Sequence, residues 1–147
     1  MGNSVPTRYA FPKDITVQPT ILIVEDNVAV RRSLCDWLCV MLPDCKFAQA
    51  QSGEEAVAMT GAEPPDLVLM DIGLPGMNGI EATRRIKAIA PITPVVILSI
   101  HEEDAYQLDA AAAGASAFVC KRVMQTELAP VIQTLLYREE IGDQVAG

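Results

Sequence analysis

The stretch Leu67-Val68-Leu69-Met70-Asp71-Ile72-Gly73-Leu74-Pro75-Gly76-Met77-Asn78-Gly79 decides how this chain folds. Four bulky apolar residues followed by turn residues predict a strand buried on both faces, the kind that parallel sheets contain. Asp71 closes that strand. In open α/β sheets the C-terminal ends of the strands border the crevice where ligands bind, so a carboxylate there faces the ligand. A second run of the same kind, Ile21-Leu22-Ile23-Val24, is followed at once by Glu25-Asp26. Three carboxylates at two strand ends, with no nearby partner in sequence, predict a cation site.

Working outward, strands alternate with helices. The first strand, about 20–25, leads into a helix of about 28–42 capped by Asn27, with Val30, Leu34, Trp37, Leu38 and Met41 at helical spacing and Pro43 after its end. A short strand near 45–50 follows. Ser52 and Glu55 then form a capping box for a helix ending near Gly61. After the Asp71 strand come a helix from Gly79 to about Ile89, a strand Val95-Val96-Ile97-Leu98 ending at Ser99, and a helix from about Glu102 to Ala113 stopped by Gly114. Ala117-Phe118-Val119-Cys120 forms the last strand, ending at Lys121. The last helix runs from about Thr126 to Tyr137, with Pro130 one turn in, where it removes a backbone donor. Residues 1–19 carry Pro6, Pro12 and Pro19 and read as an irregular extension, and 138–147 as a frayed end or linker stub. Five strands alternating with five helices predict a doubly wound parallel sheet with helices on both faces, over residues 20–137.

Bulk properties narrow the function. At 147 residues and 50% hydrophobic, the chain can bury one ordinary core. A net charge of −8 argues against direct nucleic-acid binding, which needs Lys and Arg to replace phosphate counterions. The one basic cluster, Arg84-Arg85 with Lys87, is expected on a solvent-facing helix. No apolar stretch approaches the roughly 20 residues that span a bilayer, and the N-terminus lacks the layout of a signal peptide. Met1-Gly2 opens the chain, but Pro6 stands where a myristoylation signal needs Ser or Thr. A soluble cytoplasmic protein is expected. Cys35, Cys39, Cys45 and Cys120 lack C-x-x-C spacing and read as small buried apolar side chains of a reduced protein.

Glu25-Asp26, Asp71, Ser99 and Lys121 all fall at C-terminal strand ends, which share one edge of such a sheet. Three carboxylates suit Mg²⁺, which takes oxygen ligands and keeps several waters. Lys and Ser supply a charge and a donor for phosphate oxygens. A carboxylate can itself attack phosphorus. Metal, nucleophile, hydroxyl and ammonium together are what phosphoryl transfer to Asp requires.

With these residues in place, the chain resembles a bacterial two-component response-regulator receiver domain (CheY-like, flavodoxin-like fold) over roughly residues 20–137. The matching pieces are Ile21 to Asn27, Met70 to Gly79, Leu98-Ser99 and Lys121. The stretch from Leu98 through Gly114-Ala115 to Lys121 looks most like NarL/LuxR-type regulators. The resemblance implies a regulatory domain, not an enzyme beyond self-phosphorylation and self-dephosphorylation. Asp71 would be the phosphoacceptor, charged by a sensor histidine kinase or phosphotransfer protein. Glu25, Asp26, Asp71 and the Gly73 carbonyl would hold Mg²⁺. Ser99 and Lys121 would bind the phosphoryl group, and Phe118 would be the switch aromatic. A homodimer through the fourth helix, last strand and last helix is also implied.

Departures from the family pattern concern the lifetime of the phosphorylated state. Arg122, not Pro, follows Lys121, so a cis-proline there is excluded. Phe118 stands where Tyr is common and acts by packing alone. Gly73 leaves room for attacking water beside Asp71. His101 reads as an exposed helix-start residue near the mouth of the site. Two rival chemistries share the layout: an FMN-binding flavodoxin-like protein, whose phosphate Glu25-Asp26 would repel, and an Asp-nucleophile phosphatase, whose second carboxylate two residues on is absent at Gly73. The output is either transcription, through a helix-turn-helix module beyond this chain, or that of a stand-alone receiver serving as phosphorelay shuttle or protein-binding regulator.

Overall fold

The computed structural model describes residues 18–146 except Glu102, with side chains described as far as Tyr137. Its elements are β1 (Thr20–Val24), α1 (Val28–Met41), β2 (Lys46–Ala50), α2 (Gly53–Ala62), β3 (Leu67–Asp71), α3 (Gly79–Ile89), β4 (Val95–Ser99), α4 (Asp104–Ala112), β5 (Ala117–Cys120) and α5 (Met124–Ala146). The five strands form one sheet in the order β2-β1-β3-β4-β5, every pair parallel. This is the doubly wound sheet that the alternation of elements predicts. The order reverses direction after β1, and that reversal opens a crevice above the ends of β1 and β3.

Strand periodicity sorts the core into two layers. Ile21, Ile23, Leu67, Leu69, Val96, Leu98 and Val119 pack on one face against Leu34 and Leu38 of α1 and Leu128 and Ile132 of α5. The alternate positions Leu22, Val24, Val68, Met70, Val95 and Ile97 pack on the other against Ala56 of α2, Ala82 and Ile86 of α3, and Ala110 of α4. Because side chains alternate at period two, a one-residue slip of any central strand would exchange its layers. All five residues of β3 and of β4 are buried, which is why these runs read as continuous rather than alternating apolar sequence.

Caps form largely as the sequence predicts. Asn27 Oδ1 accepts from the Val30 amide and Asn78 Oδ1 from the Glu81 amide. Ser52 Oγ accepts from the Glu55 amide at 3.0 Å, while the Glu55 carboxylate accepts from Gln51, one residue before the cap. Several expectations are corrected. Helix α4 begins at Asp104, and Glu102, the expected start, lies outside the described residues. Cys45 precedes β2, its amide donating to Leu42 O instead of to a strand. Helix α5 contains Pro130 and continues past its expected end near Tyr137 to Ala146. Residues 1–17 of the expected N-terminal extension lie outside the described residues.

Burial corrects the sequence reading in three places. Only Leu34 and Leu38 of the α1 stripe are buried; Val30 and Met41 are exposed because the sheet contacts a narrower strip than the apolar spacing covers. None of the four free cysteines is fully buried, and Cys39 is exposed. Burial still pushes the Cys45 thiol up to about 11, so it stays protonated at neutral pH. Arg84 and Arg85 face solvent, paired to Glu81, but Lys87 turns inward. Its ammonium donates to Pro91 O and Thr93 O, both at 2.7 Å.

Two glycines, one at the start of α3 and one in α2, show opposite extremes of packing. A Cβ on Gly79 would lie 2.3 Å from the carbonyl oxygen of Asp71 and 2.8 Å from Ile72 Cα, so α3 can start this close to β3 only on glycine. A Cβ on Gly61 would meet nothing within 4 Å. The same substitution should therefore act with opposite signs. Gly79→Ala is expected to destabilise by about 1–3 kcal/mol through overpacking. Gly61→Ala should stabilise by up to about 1 kcal/mol through chain entropy. Urea unfolding of both variants checks the pair, and a neutral Gly79→Ala would show that the loop yields.

Candidate functional site

Side-chain parity explains why the site residues meet. On β1 the positions facing α1 are 21 and 23, and the next of that set is Glu25. On β3 they are 67 and 69, and the next is Asp71; on β5 they are 117 and 119, and the next is Lys121. Three strand ends therefore send their polar side chains to the same side of the sheet edge. Lys121 Nζ sits 3.1 Å from Asp71 Oδ1 and 3.5 Å from Glu25 Oε1. Ligand oxygens of Glu25, Asp26 and Asp71 lie within 4.8 Å of one another. Glu25 and Asp71 are buried and Asp26 is exposed, so the cluster opens to solvent on the Asp26 side.

One ammonium among three carboxylates leaves two formal negative charges uncompensated in a partly desolvated pocket. Glu25 carries that strain. Burial pushes its carboxyl above the ordinary range, the Asn27 amide bonded to Oε2 at 3.1 Å opposes this, and the Asp71 charge raises it further. A divalent cation relieves this repulsion, and three convergent carboxylates with an open, exposed flank form a hard-oxygen donor set that fits Mg²⁺ and its waters. Gly73 adds no bulk: a Cβ there would stand 4.0 Å from Asp71 Oδ2.

Ser99 and Phe118 belong to the opposite parity. Ser99 ends β4 on the face that carries Ile97, wholly buried, and its hydroxyl accepts from the His101 amide at 2.9 Å. Phe118 is half-buried on the same face, against the layer that includes Ala110 of α4. His101 is not a plain solvent residue. Its ring stacks on Tyr106 with centroids 4.6 Å apart, and Nδ1 is 3.7 Å from Glu103. Since α4 starts at Asp104, His101 lies in the loop before it and ties that loop both to Ser99 and to the helix.

Neighbours that the sequence reading did not single out complete the site. Arg31 of α1 donates from Nη1 to the backbone carbonyl of Glu25 at 2.7 Å and from Nε to Gln49 Oε1 of β2 at 3.0 Å. Glu54 of α2 accepts from the Met77 amide at 3.3 Å, holding the loop after Asp71. A cavity of about 470 Å³ borders Glu25 and Lys121 and is otherwise lined by Val30, Trp37, Leu98 and Met124 among others. Long-range contacts of this kind leave no periodic signal. Only the basic residue one turn into the helix after Glu25-Asp26 could have hinted at Arg31.

With this geometry in hand, comparison with known proteins is decisive. The family model of the response regulator receiver domain matches residues 21–133. The chain belongs to that family. The receiver is 34% identical over 116 residues to the transcriptional activator protein ExaE of Pseudomonas putida, covering 79% of this chain and 54% of that protein. It is 32% identical over 127 residues to the response regulator GacA of Pseudomonas viridiflava, covering 86% and 59%. The receiver thus spans somewhat over half the length of these curated relatives. Among solved structures it is similar to a LuxR-family two-component response regulator from Aurantimonas (TM-score 0.76, 30% identity, 89% of this chain and 100% of that one). It is also similar to a CheY-like receiver domain protein from Methanospirillum hungatei (TM-score 0.78, 25% identity, 86% and 99%). The chain is a response-regulator receiver of two-component signalling, a regulatory domain family, and its resemblance to LuxR-type regulators holds. No helix among the described residues is long and apolar enough to cross a membrane. The family assignment removes the FMN binder and the phosphatase as competing readings.

The raised carboxyl of Glu25 fixes the sign of a pH effect. A carboxylate whose folded pKa lies above its unfolded value holds its proton more tightly when folded. Stability of the metal-free receiver should then fall as pH rises from about 4.5 through the raised value, and level off above it. Glu25→Gln should flatten this trend. Thermal melts in chelator at a series of pH values check it; an unchanged profile in Glu25→Gln would assign the trend to another group.

Proposed function

We propose that this receiver accepts a phosphoryl group on Asp71 from a sensor histidine kinase or phosphotransfer protein in the cytoplasm, over a unit of residues 20–137. The observation that carries the reading is the ammonium of Lys121 within 3.1 Å of Asp71 and 3.5 Å of Glu25, at an edge where three carboxylates converge. An Asp71 oxygen attacks phosphorus, the bond from phosphorus to the donor nitrogen breaks, and the donor imidazole leaves with the electron pair. Glu25, Asp26, Asp71 and the Gly73 carbonyl would hold Mg²⁺, which supplies charge neutralisation for the phosphoryl oxygens. The Lys121 ammonium exchanges its contact with the Asp71 carboxylate for one with a phosphoryl oxygen. Ser99 Oγ can donate its proton to another while a lone pair keeps the His101 amide, because a hydroxyl offers one donor and two acceptor sites. Gly73 leaves the Asp71 side open to the water that later hydrolyses the acyl phosphate.

Incubation with acetyl phosphate and Mg²⁺ should add one phosphoryl mass to the wild-type chain and none to Asp71→Asn. Chelator should abolish the addition, since the acidic cluster then repels the incoming phosphate. Intact-mass spectra read both outcomes. Equal labelling of wild type and Asp71→Asn would move the acceptor elsewhere.

The output passes through α4. Ser99 drawn toward the phosphoryl group vacates space that Phe118, on the same face, can enter. Helix α4 is poorly anchored: Ala110 is its one buried residue, and Glu103 caps it without a side-chain bond. Short side chains and a missing cap suit an element with two packings. Ile100 and Leu108 are exposed on this side, which supports a homodimer or an effector surface built from α4, β5 and α5. The curated relatives are named as transcriptional activators and response regulators, so the output we assign is control of transcription through a module outside this chain. Beryllofluoride should change amide exchange across residues 99–125 most. Changes confined to α1 and α2 would send the signal by another route.

A further inference from the structure

The acidic pair Glu25-Asp26 sits where the chain leaves the sheet, and its backbone must be held by something other than the strand ladder. Pairing of β1 ends at Val24, opposite Ala50 and Met70. The Glu25 amide still reaches Ala50 O at 3.1 Å, but its carbonyl lies past the last ladder partner. That partly buried carbonyl takes its hydrogen bond from Arg31 Nη1 at 2.7 Å. The backbone amide of Arg31 bonds Asn27 O at 2.9 Å, so one residue grips both ends of the segment from Glu25 to Asn27. Gln49 Oε1 on β2 accepts from Arg31 Nε at 3.0 Å and sets the plane of the guanidinium. Asp26 has no hydrogen bond of its own among the described residues. The 25–26 peptide carries the Asp26 side chain, and Arg31 Nη1 holds the carbonyl of that peptide.

We propose that Arg31, held by Gln49, is a positioning residue for the cation site: it aims the Glu25-Asp26 backbone so that both carboxylates converge with Asp71. The inference rests on the Mg²⁺ reading of that cluster. Two alternatives give different signs. If Arg31 acted only as a nearby positive charge, its removal would tighten binding of a dication, because like charges repel. If it acted only as structural packing, its loss would lower stability and leave metal affinity alone. A planar fork that spans two acceptors cannot be replaced by the point charge of Lys, so the conservative variant separates geometry from charge.

Trp37, the one tryptophan, lines the cavity that Glu25 and Lys121 border, so its fluorescence is the probe for Mg²⁺ titration of the full chain without any phosphodonor, with isothermal calorimetry reading the same affinities. Metal-free melting temperatures are read in parallel. Arg31→Met should raise the Mg²⁺ dissociation constant by about tenfold, the usual scale for groups that orient metal ligands. Arg31→Lys should lose most of the same affinity, and Gln49→Leu should weaken binding in the same direction by less than Arg31→Met does. Arg31→Met combined with Gln49→Leu should bind no more weakly than Arg31→Met alone, since the second residue acts through the first. Unchanged or tighter binding in Arg31→Met overturns the proposal, as do wild-type affinity in Arg31→Lys or additive losses in the double variant. Should Arg31→Met fail to fold, Arg31→Lys and Gln49→Leu carry the same test. Absence of saturable Mg²⁺ binding in wild type, or full binding in Asp26→Ala, would instead overturn the reading of the cluster itself.

Discussion

Mutual repulsion among Glu25, Asp26 and Asp71 is the constraint around which this receiver is organised. Folding brings three carboxylates within 4.8 Å, against a Coulomb cost that bulk solvent no longer screens for the two buried members. A single ammonium, Lys121, reaches two of them. The site is therefore built under electrostatic strain that a bound dication would relieve by giving the carboxylates a counter-charge. A cluster whose charges were already balanced would have little to gain from a cation.

The two faces of the sheet divide the labour. Glu25, Asp71 and Lys121 follow the positions that pack on α1 and α5, while Ser99 and Phe118 follow those that pack on α2, α3 and α4. The acidic cluster with its ammonium and the Ser99–Phe118 pair thus lie on opposite sides of one edge, a few residues apart along the strands. Stability is divided in the same way. The large side chains Leu34, Leu38, Leu128 and Ile132 hold the first face, and the second is covered largely by small ones such as Ala56, Ala82 and Ala110. A helix that buries one alanine loses little contact area by shifting, so local rearrangement there need not open the core.

Around the site, polar contacts set backbone rather than side chain. Arg31 holds a carbonyl, Glu54 an amide, and Asn27 and Asn78 the first turns of α1 and α3. Such bonds fix where a loop leaves its strand, and through it where a carboxylate points. The close approach at Gly79 does the same by excluding bulk: α3 starts against the Asp71 carbonyl, so the loop between them has little freedom.

Element order, parallel pairing and the placing of Glu25, Asp26, Asp71, Ser99 and Lys121 at the C-terminal edge of the sheet were legible in the sequence. They depend on local regularities: runs of buried β-branched and leucine residues, capping residues at fixed offsets, and polar residues at strand ends. Boundaries moved where local propensity competes with packing, as at the start of α4 and the end of α5. Burial of α1 was overestimated at Val30 and Met41, since a periodic stripe says which face is apolar but not how much of it the sheet covers. Arg31, Gln49, Glu54 and the inward turn of Lys87 belong to the tertiary structure alone. Each joins segments whose distance in space is set by strand order and register, and a one-dimensional pattern holds no record of that distance.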